Sequence, residues 1–316
     1  MIYFLVSRGH TATLLDVLNW NPHKVQLLHY DDVFPMRELP DATYIFTDFD
    51  RLGHRELERA AQLYLQLKQS GAKVLNNPAL VKTRYSLLRA LSAAGWNDFN
   101  VYRADDPPGE MRFPVFLRKI REHSLPLSDL LQTREEVDQT IQTATNAGQP
   151  LENLMIVESA AEPIRPGLYR KLALYRAGEN YLPALCVHDT SWLVKQGQTG
   201  IAGAELYQDE LEIVKTSRYA KDLERAFEIA HIEYGRADFG FYQGRIQVFE
   251  INTNPQMCKF TAHPFPQREE SQRIIWQKLT DALEQLDSGT DKPLILEREK
   301  PRRSWKRSLK QIWGRH

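Results

Sequence analysis

Through the first seventy-odd residues, short runs of β-forming apolar residues alternate with amphipathic helical ones. IYFLVS is followed by ATLLDVLNW, then KVQLLHY, ATYIFTDF, the polar-faced HRELERAAQLYLQLKQSG and AKVLNN. Strands separated by helices cannot close as hairpins, so each returns across the sheet in the same direction, which predicts a parallel, doubly wound sheet. Residues 1–77 are therefore expected to form an N-terminal α/β domain. Asn77-Pro78 opens a further helix over ALVKTRYSLLRALSAAG, ended by Gly95 as a helix C-terminus requires. Residues 78–110 are expected to be a linker made of this helix and the loop RADDPPGEMR.

Beyond that loop the texture changes to longer strands, FPVFLRK, LMIVES, LYRKLALYRAG and YLPALCVHD, with one helix over TREEVDQTIQTATNAG. Strands in succession without regular crossovers predict an antiparallel, α+β core. A small lobe is expected over residues 111–185 and a larger one over 186–290. In the larger lobe the amphipathic KDLERAFEIAHIEYG leads into RADFGFY and RIQVFEINTN, paired around Gln243-Gly244 as a hairpin.

The 316 residues, 42% of them hydrophobic, suffice for two or three packed units. No apolar run approaches the roughly 18 residues that span a bilayer, and MIYFLVSRGH lacks the basic start of a signal peptide, so a cytoplasmic protein is expected. Cys186 and Cys258 form no metal-ligand pattern and are expected to be reduced core residues. The net charge is zero but uneven: residues 298–316 carry eight Lys/Arg against the single Glu299. Residues 291–316 are expected to be a basic amphipathic tail, with Trp305, Leu309, Ile312 and Trp313 on one face. Such a tail suits an anionic membrane surface, which would make the protein membrane-peripheral, or an acidic partner. No specific nucleic acid is expected, and homo-oligomerisation is open.

The stretch VFEINTNPQM places acids in what should be a core strand. Side chains alternate across a strand, so Glu250 and Asn252 are expected on one face, about 7 Å apart, with Val248, while Phe249 and Ile251 face the other way. With an odd-numbered hairpin loop, Asp238 joins that face. Two carboxylates and an amide there require a cation among them. Oxygen-only donors in this number suit Mg²⁺, which completes its shell with water and substrate phosphates. The alternative is a structural ion pair from Glu250 to Arg236 or Arg245, with Asn252 capping the turn before Pro255.

The D-x11-E-x-N spacing followed by a proline turn resembles the metal-binding hairpin of the ATP-grasp superfamily, the fold of D-alanine–D-alanine ligase, glutathione synthetase and ribosomal-protein glutamate ligases. VLNNPALVKTRYSLLRALSAAG is similar to the segment entering the ATP-grasp core, FPVFLRK to the strand ending in a phosphate-contacting lysine, MIVES to the strand before the adenine-binding hinge, and LYRKLALYRAGENYLPAL to the strand with a catalytic arginine. The resemblance implies an N-terminal α/β domain plus a two-lobed α+β ATP-grasp core of mixed and antiparallel sheets. It implies ATP and Mg²⁺, with Mn²⁺ as the alternative cation, held by Asp238, Glu250 and Asn252. It also implies Arg170 as the catalytic arginine, and Arg118 and Glu158 at the nucleotide; Arg121 and His123, on the loop after Arg118, read as side-chain donors to phosphate in place of a glycine-rich loop's amides, with an ordinary exposed histidine as the alternative for His123.

Against that pattern, Tyr85-Ser86 stands where Asp-Lys is common, and Arg118-Lys119 where Lys-Pro is expected. The following loop, REHSLPLSDL, contains no glycine. Arginine still binds phosphate through its fork. KQGQTGIAGAE reads as a mobile cover or a simple turn. His188 reads as facing the acceptor or as a bonded strand-end residue, and Arg8, Gly9 and His10 follow the first strand where α/β domains bind ligands. The leading reading is an ATP-dependent carboxylate–amine ligase acting on small-molecule or peptide substrates through an acyl phosphate. A degenerate nucleotide-binding protein with a regulatory or assembly role, or a kinase-type phosphotransferase, is the alternative.

Overall fold

Strands β1 (Ile2–Val6), β2 (Val25–His29), β3 (Glu38–Pro40), β4 (Thr43–Phe46) and β5 (Lys73–Leu75) alternate with helices α1 (Leu15–Trp20), α2 (Tyr30–Val33) and α3 (His54–Gln69) in the computed structural model. It describes residues 1–107, 109–121, 124–195, 197–256, 260–290 and 292–296. Four of these strands form a parallel sheet in the order β2-β1-β4-β5, as the alternation predicts. Phe4, Leu5, Tyr44, Ile45 and Phe46 are fully buried in its two central strands, each burial contributing about 1.5–3 kcal/mol. Helix α3 covers one face with Ala60, Leu63, Tyr64 and Leu67, spaced as one stripe of a helix.

Helix α4 (Arg84–Ala93) is shorter than predicted. Asn77 closes a turn on itself by accepting from the Ala79 amide, and Thr83 is the N-cap, so the helix begins seven residues beyond Asn77. Gly95, at φ +67, follows its end as expected. Strands β6 (Val101–Arg103), β7 (Val115–Lys119) and β8 (Leu154–Glu158), with helix α5 (Arg134–Asn146), build the small lobe as an antiparallel sheet in the order β6-β8-β7.

The large lobe contains β9 (Tyr169–Ala177), β10 (Asn180–Pro183), β11 (Val187–Asp189), α6 (Ala204–Thr216), α7 (Ala220–Ala230), β12 (Tyr234–Tyr242), β13 (Arg245–Asn252) and α8 (Pro266–Leu286). Its antiparallel sheet runs β10-β9-β12-β13, with β11 also on β9. The expected lobe boundary at residue 185 is corrected by this pairing: β9 hydrogen-bonds β12 from Tyr234↔Ala177 to Phe239↔Leu172, so residues 169–183 belong with the hairpin. Residues 101–103, expected in the linker, complete the small sheet. The single strand expected over YLPALCVHD is two, β10 and β11, and both α6 and α8 lie in segments the sequence reading passed over. Leu172, Leu174, Leu223, Phe227, Phe239 and Val248 form the centre of the core between sheet and helices.

Strand β14 (Pro293–Ile295) pairs antiparallel with β3, so the start of the expected tail returns to the N-terminal domain. The rest of that tail, residues 297–316 with Trp305, Leu309, Ile312 and Trp313, lies outside the described residues. Among the described residues no helix is long and apolar enough to cross a membrane. Cys186 is a free, buried thiol that burial pushes well above the ordinary range; Cys258 lies outside the described residues.

Candidate active site

Gln243 and Gly244, at φ 50 and 76, make the tight turn that joins β12 to β13. A two-residue turn alone would set Asp238 opposite Phe249. The register shifts between Asp238 and Phe239, so that Phe239 pairs with Val248 and Asp238 with Glu250, and Phe249 is the extra residue of a β-bulge. A bulge re-aims side chains. Phe249 and Glu250 both line the central cavity, while Val248 and Ile251 are buried in the core. This corrects the strict alternation expected from sequence, which put Val248 beside Glu250 and turned Phe249 away. Gly240 makes the arrangement fit, since a Cβ there would meet the Phe249 ring at 3.0 Å.

The cavity, of about 350 Å³, lies between the two antiparallel sheets and is closed on one side by the N-terminal domain. Leu88, Phe99, Phe116, Trp192 and Phe249 give the wall its apolar part. Trp192, on the loop after β11, packs on Phe116 of β7 with ring centroids 4.9 Å apart, so this loop bridges the lobes just ahead of the segment that sequence reads as a cover. Six Lys/Arg (Arg84, Arg118, Arg170, Lys171, Lys195, Arg236) and four carboxylates (Glu158, Glu162, Asp238, Glu250) line the same cavity.

Cations do sit among the hairpin acids. Arg84, at the start of α4 and nearly inaccessible, donates to Glu250 Oε2 at 2.7 Å. Arg118 lies beside this pair: burial, and then the neighbouring Arg84 guanidinium, lower its pKa to about 10, with Glu250 opposing. Asp50 opposes the shift as well, so the two guanidiniums lie between two carboxylates. Asp238 is held by Lys171 Nζ at 3.0 Å and Arg236 Nε at 2.8 Å. The structural pairing considered from sequence is therefore corrected in its partners: Arg236 binds Asp238, and Arg245 binds Asp98 on the far side of the hairpin.

Arg170 lines the cavity and donates from Nη1 to Asp209 at 2.5 Å. Among the described residues, Arg118 and Arg170 each keep a buried Nε without a hydrogen-bond partner. An orphaned buried donor costs about 1–3 kcal/mol unless a ligand satisfies it.

The other expected residues divide. Glu158 lines the cavity, but its carboxylate accepts from the Asn100 amide, the Tyr102 hydroxyl and the Arg112 amide at 2.8–2.9 Å, so it clamps the 100–112 segment. Arg121 is exposed, donates to Leu52 O at 3.4 Å and is not among the lining residues. His123 lies outside the described residues. His188 is buried beside Arg170 in the register but off the cavity lining, which corrects its reading as an acceptor-facing group. Sequence reasoning missed Arg84, Lys171 and Arg236 as site residues; the Arg-x-Asp spacing of Arg236 and Asp238 on one strand face was the available signal.

Asp238, Glu250 and Asn252 offer hard oxygen donors on one wall, which fits Mg²⁺ or Mn²⁺ in kind. Among the described residues no group of three His, Cys, Asp or Glu is placed to hold a metal. The set is thus two carboxylates and an amide, and phosphate oxygens would have to complete it. Asn252 Oδ1 also accepts from the Asn254 amide at 2.9 Å, the turn-capping role considered from sequence.

A parallel α/β domain followed by two antiparallel sheets facing across this cleft agrees with the architecture expected from the sequence, an α/β domain and a two-lobed α+β core of mixed and antiparallel sheets. Solved structures that superpose on the chain include D-alanine–D-alanine ligase from Bacillus anthracis complexed with ATP, at 13% identity, 90% of this chain, 99% of that one and TM-score 0.49. A RimK domain ATP-grasp protein from Sphaerobacter thermophilus matches at 13% identity, 87% and 100% coverage and TM-score 0.47. The ATP-grasp ligase PsnB with a phosphomimetic variant of its minimal precursor, Mg and ADP matches at 12% identity, 89% and 97% coverage and TM-score 0.47. With TM-scores under 0.5, no functional conclusion rests on these likenesses. No family model and no curated protein matches the chain.

Proposed function

We propose that the protein is an ATP- and Mg²⁺-dependent carboxylate–amine ligase. The observation that carries the reading is the bulged hairpin, which turns Asp238 and Glu250 toward one cavity lined both by aromatic side chains and by six lysines and arginines. An apolar wall with a few convergent polar groups is what a nucleotide base and its phosphates require. Phosphoryl transfer is catalysed mainly by positioning and by neutralising oxygens, not by a protein nucleophile.

In this reading the substrate carboxylate attacks the γ-phosphorus, ADP leaves, and an amine attacks the resulting acyl phosphate to release phosphate. Arg118 and Lys171 neutralise phosphate oxygens, and Arg170, through its cavity-side guanidinium, stabilises the oxygen that gains charge. Mg²⁺, held by Asp238, Glu250 and Asn252, supplies charge compensation between the phosphates when bound. Glu158 acts at the nucleotide only through the segment it clamps, and small-molecule or peptide carboxylates and amines are the substrate class.

A second reading, nucleotide binding without ligation, is favoured by one observation: both hairpin carboxylates are already paired with Arg84, Lys171 and Arg236. Phosphate release from Mg·ATP, assayed with the twenty amino acids as combined carboxylates and amines, separates the two. Ligation predicts release that depends on added amino acid; the second reading predicts saturable nucleotide binding with no release.

A further inference from the structure

Asp48 and His10 form a built pair on the wall that the N-terminal domain gives to the cavity. Asp48 follows β4 at the carboxyl end of the parallel sheet and holds a left-handed backbone, φ 60. A non-glycine residue keeps that conformation only where its surroundings over-determine it, and such positions gather at functional sites. Its side chain is 1% exposed, yet its oxygens are fully engaged. Oδ2 accepts from the Ser7 amide at 2.9 Å and the Ser7 hydroxyl at 2.8 Å, and Oδ1 lies 2.6 Å from His10 Nδ1. Burial raises the Asp48 pKa, but the His10, Asn254 and Ser7 contacts outweigh it and hold the carboxyl below its ordinary value.

Asn254, two residues past Asn252, locks this pair to the hairpin. Its amide nitrogen lies 2.9 Å from Asp48 Oδ1 and 3.1 Å from the His10 carbonyl, and its amide oxygen accepts from Thr13 Oγ1 at 2.8 Å. His10, Thr13 and Asn254 all line the cavity. A carboxylate on Nδ1 selects the tautomer with its proton there, orients the ring and makes Nε2 the basic nitrogen. This is more than domain stapling needs: an ionised carboxylate aligns one imidazole at the edge of the cleft that holds the hairpin acids.

We infer that His10, positioned by Asp48, accepts the proton of the attacking amine; the inference rests on the ligase reading above. His10 Nε2 takes one proton from the incoming ammonium, and the lone pair so freed forms the C–N bond to the acyl carbon. The bond from that carbon to the phosphate oxygen breaks, and its electron pair leaves on phosphate. The nitrogen's remaining surplus proton leaves on the released phosphate, and the buried Asp48 carboxylate stabilises the imidazolium.

The test compares two nucleophiles on the full chain with Mg·ATP and an equimolar mixture of the twenty amino acids. Hydroxylamine, unprotonated at neutral pH, traps an acyl phosphate without needing a base, whereas an amino acid amine must lose a proton. His10→Gln is expected to lower amide formation relative to hydroxamate formation by about 10²- to 10⁴-fold. Asp48→Asn, which keeps the shape, should shift the ratio in the same direction, with melting curves establishing that both variants fold. Equal loss in both arms, or no loss in either, overturns the inference and assigns the pair to structure. Wild-type protein that forms no hydroxamate overturns the ligase reading itself, and this inference with it, a result distinct from the other two.

Discussion

Glu250 binds a guanidinium, that of Arg84, whose side chain is only 3% exposed. Removing its charge therefore takes from that buried guanidinium the carboxylate to which it donates. Glu250→Gln should destabilise the ligand-free protein by about 1–3 kcal/mol, read from urea unfolding midpoints. A variant more stable than wild type would mean that repulsion, not pairing, dominates at the hairpin. His188 makes a second prediction. Burial, then the nearby Arg170 and Arg268, lower its pKa from 6.5 to about 4. Between those values the unfolded chain takes up a proton that the folded chain refuses, so stability falls as pH drops from about 6.5 toward 4, by roughly 1.4 kcal/mol per pH unit. In His188→Gln the loss of stability between pH 7 and pH 5 should be smaller than in wild type; an unchanged difference would show that His188 contributes nothing to it.

At the scale of the element, the β12–β13 hairpin is where sequence and structure can be compared residue by residue. Gln243-Gly244 announced the turn, and the D-x11-E-x-N spacing announced that acids share a face. What it could not announce was the bulge, because an extra residue in one strand is visible only against its partner's register. The Arg84–Glu250 pair was hidden for a similar reason: 166 positions separate its members, and no local period links them. Helix α8 was legible in principle, with Pro266 in its first turn, but its burial is spread along 21 residues and its polar positions mask the stripe. The bulge also makes a prediction. Gly240→Val fills the space taken by the Phe249 ring, an overpacking worth about 1–3 kcal/mol, and displaces Glu250 with it. The nucleotide-induced melting shift should shrink in this variant more than in Gly240→Ala; equal shifts in both would show that the bulge does not set the site.

For the whole molecule, the N-terminal sheet and the hairpin's sheet are tied together. Asn76, buried in a left-handed conformation, donates to Phe46 O of β4 at 2.9 Å and Tyr234 O of β12 at 2.8 Å, and accepts from the Glu233 and Tyr234 amides. The N-terminal sheet and the hairpin are thus joined here as well as through Asn254, on either side of the cleft they share. Domain order was legible because the change from alternating to consecutive strands is local. The junctions were not, because residues 101–103 and 169–183 declare their lobe only through distant partners.

In the proposed function this cleft binds ATP through a divalent ion at the hairpin acids. Thermal melting of wild type and Asp238→Asn with ATP, in Mg²⁺ or in EDTA, tests it most directly. A ligand specific to the native state adds about 2.7 kcal/mol at a hundredfold excess over its dissociation constant. A clear upward melting shift is predicted for wild type with ATP and Mg²⁺, much reduced in EDTA and in Asp238→Asn. No shift at millimolar ATP, or an equal shift in EDTA, would contradict it.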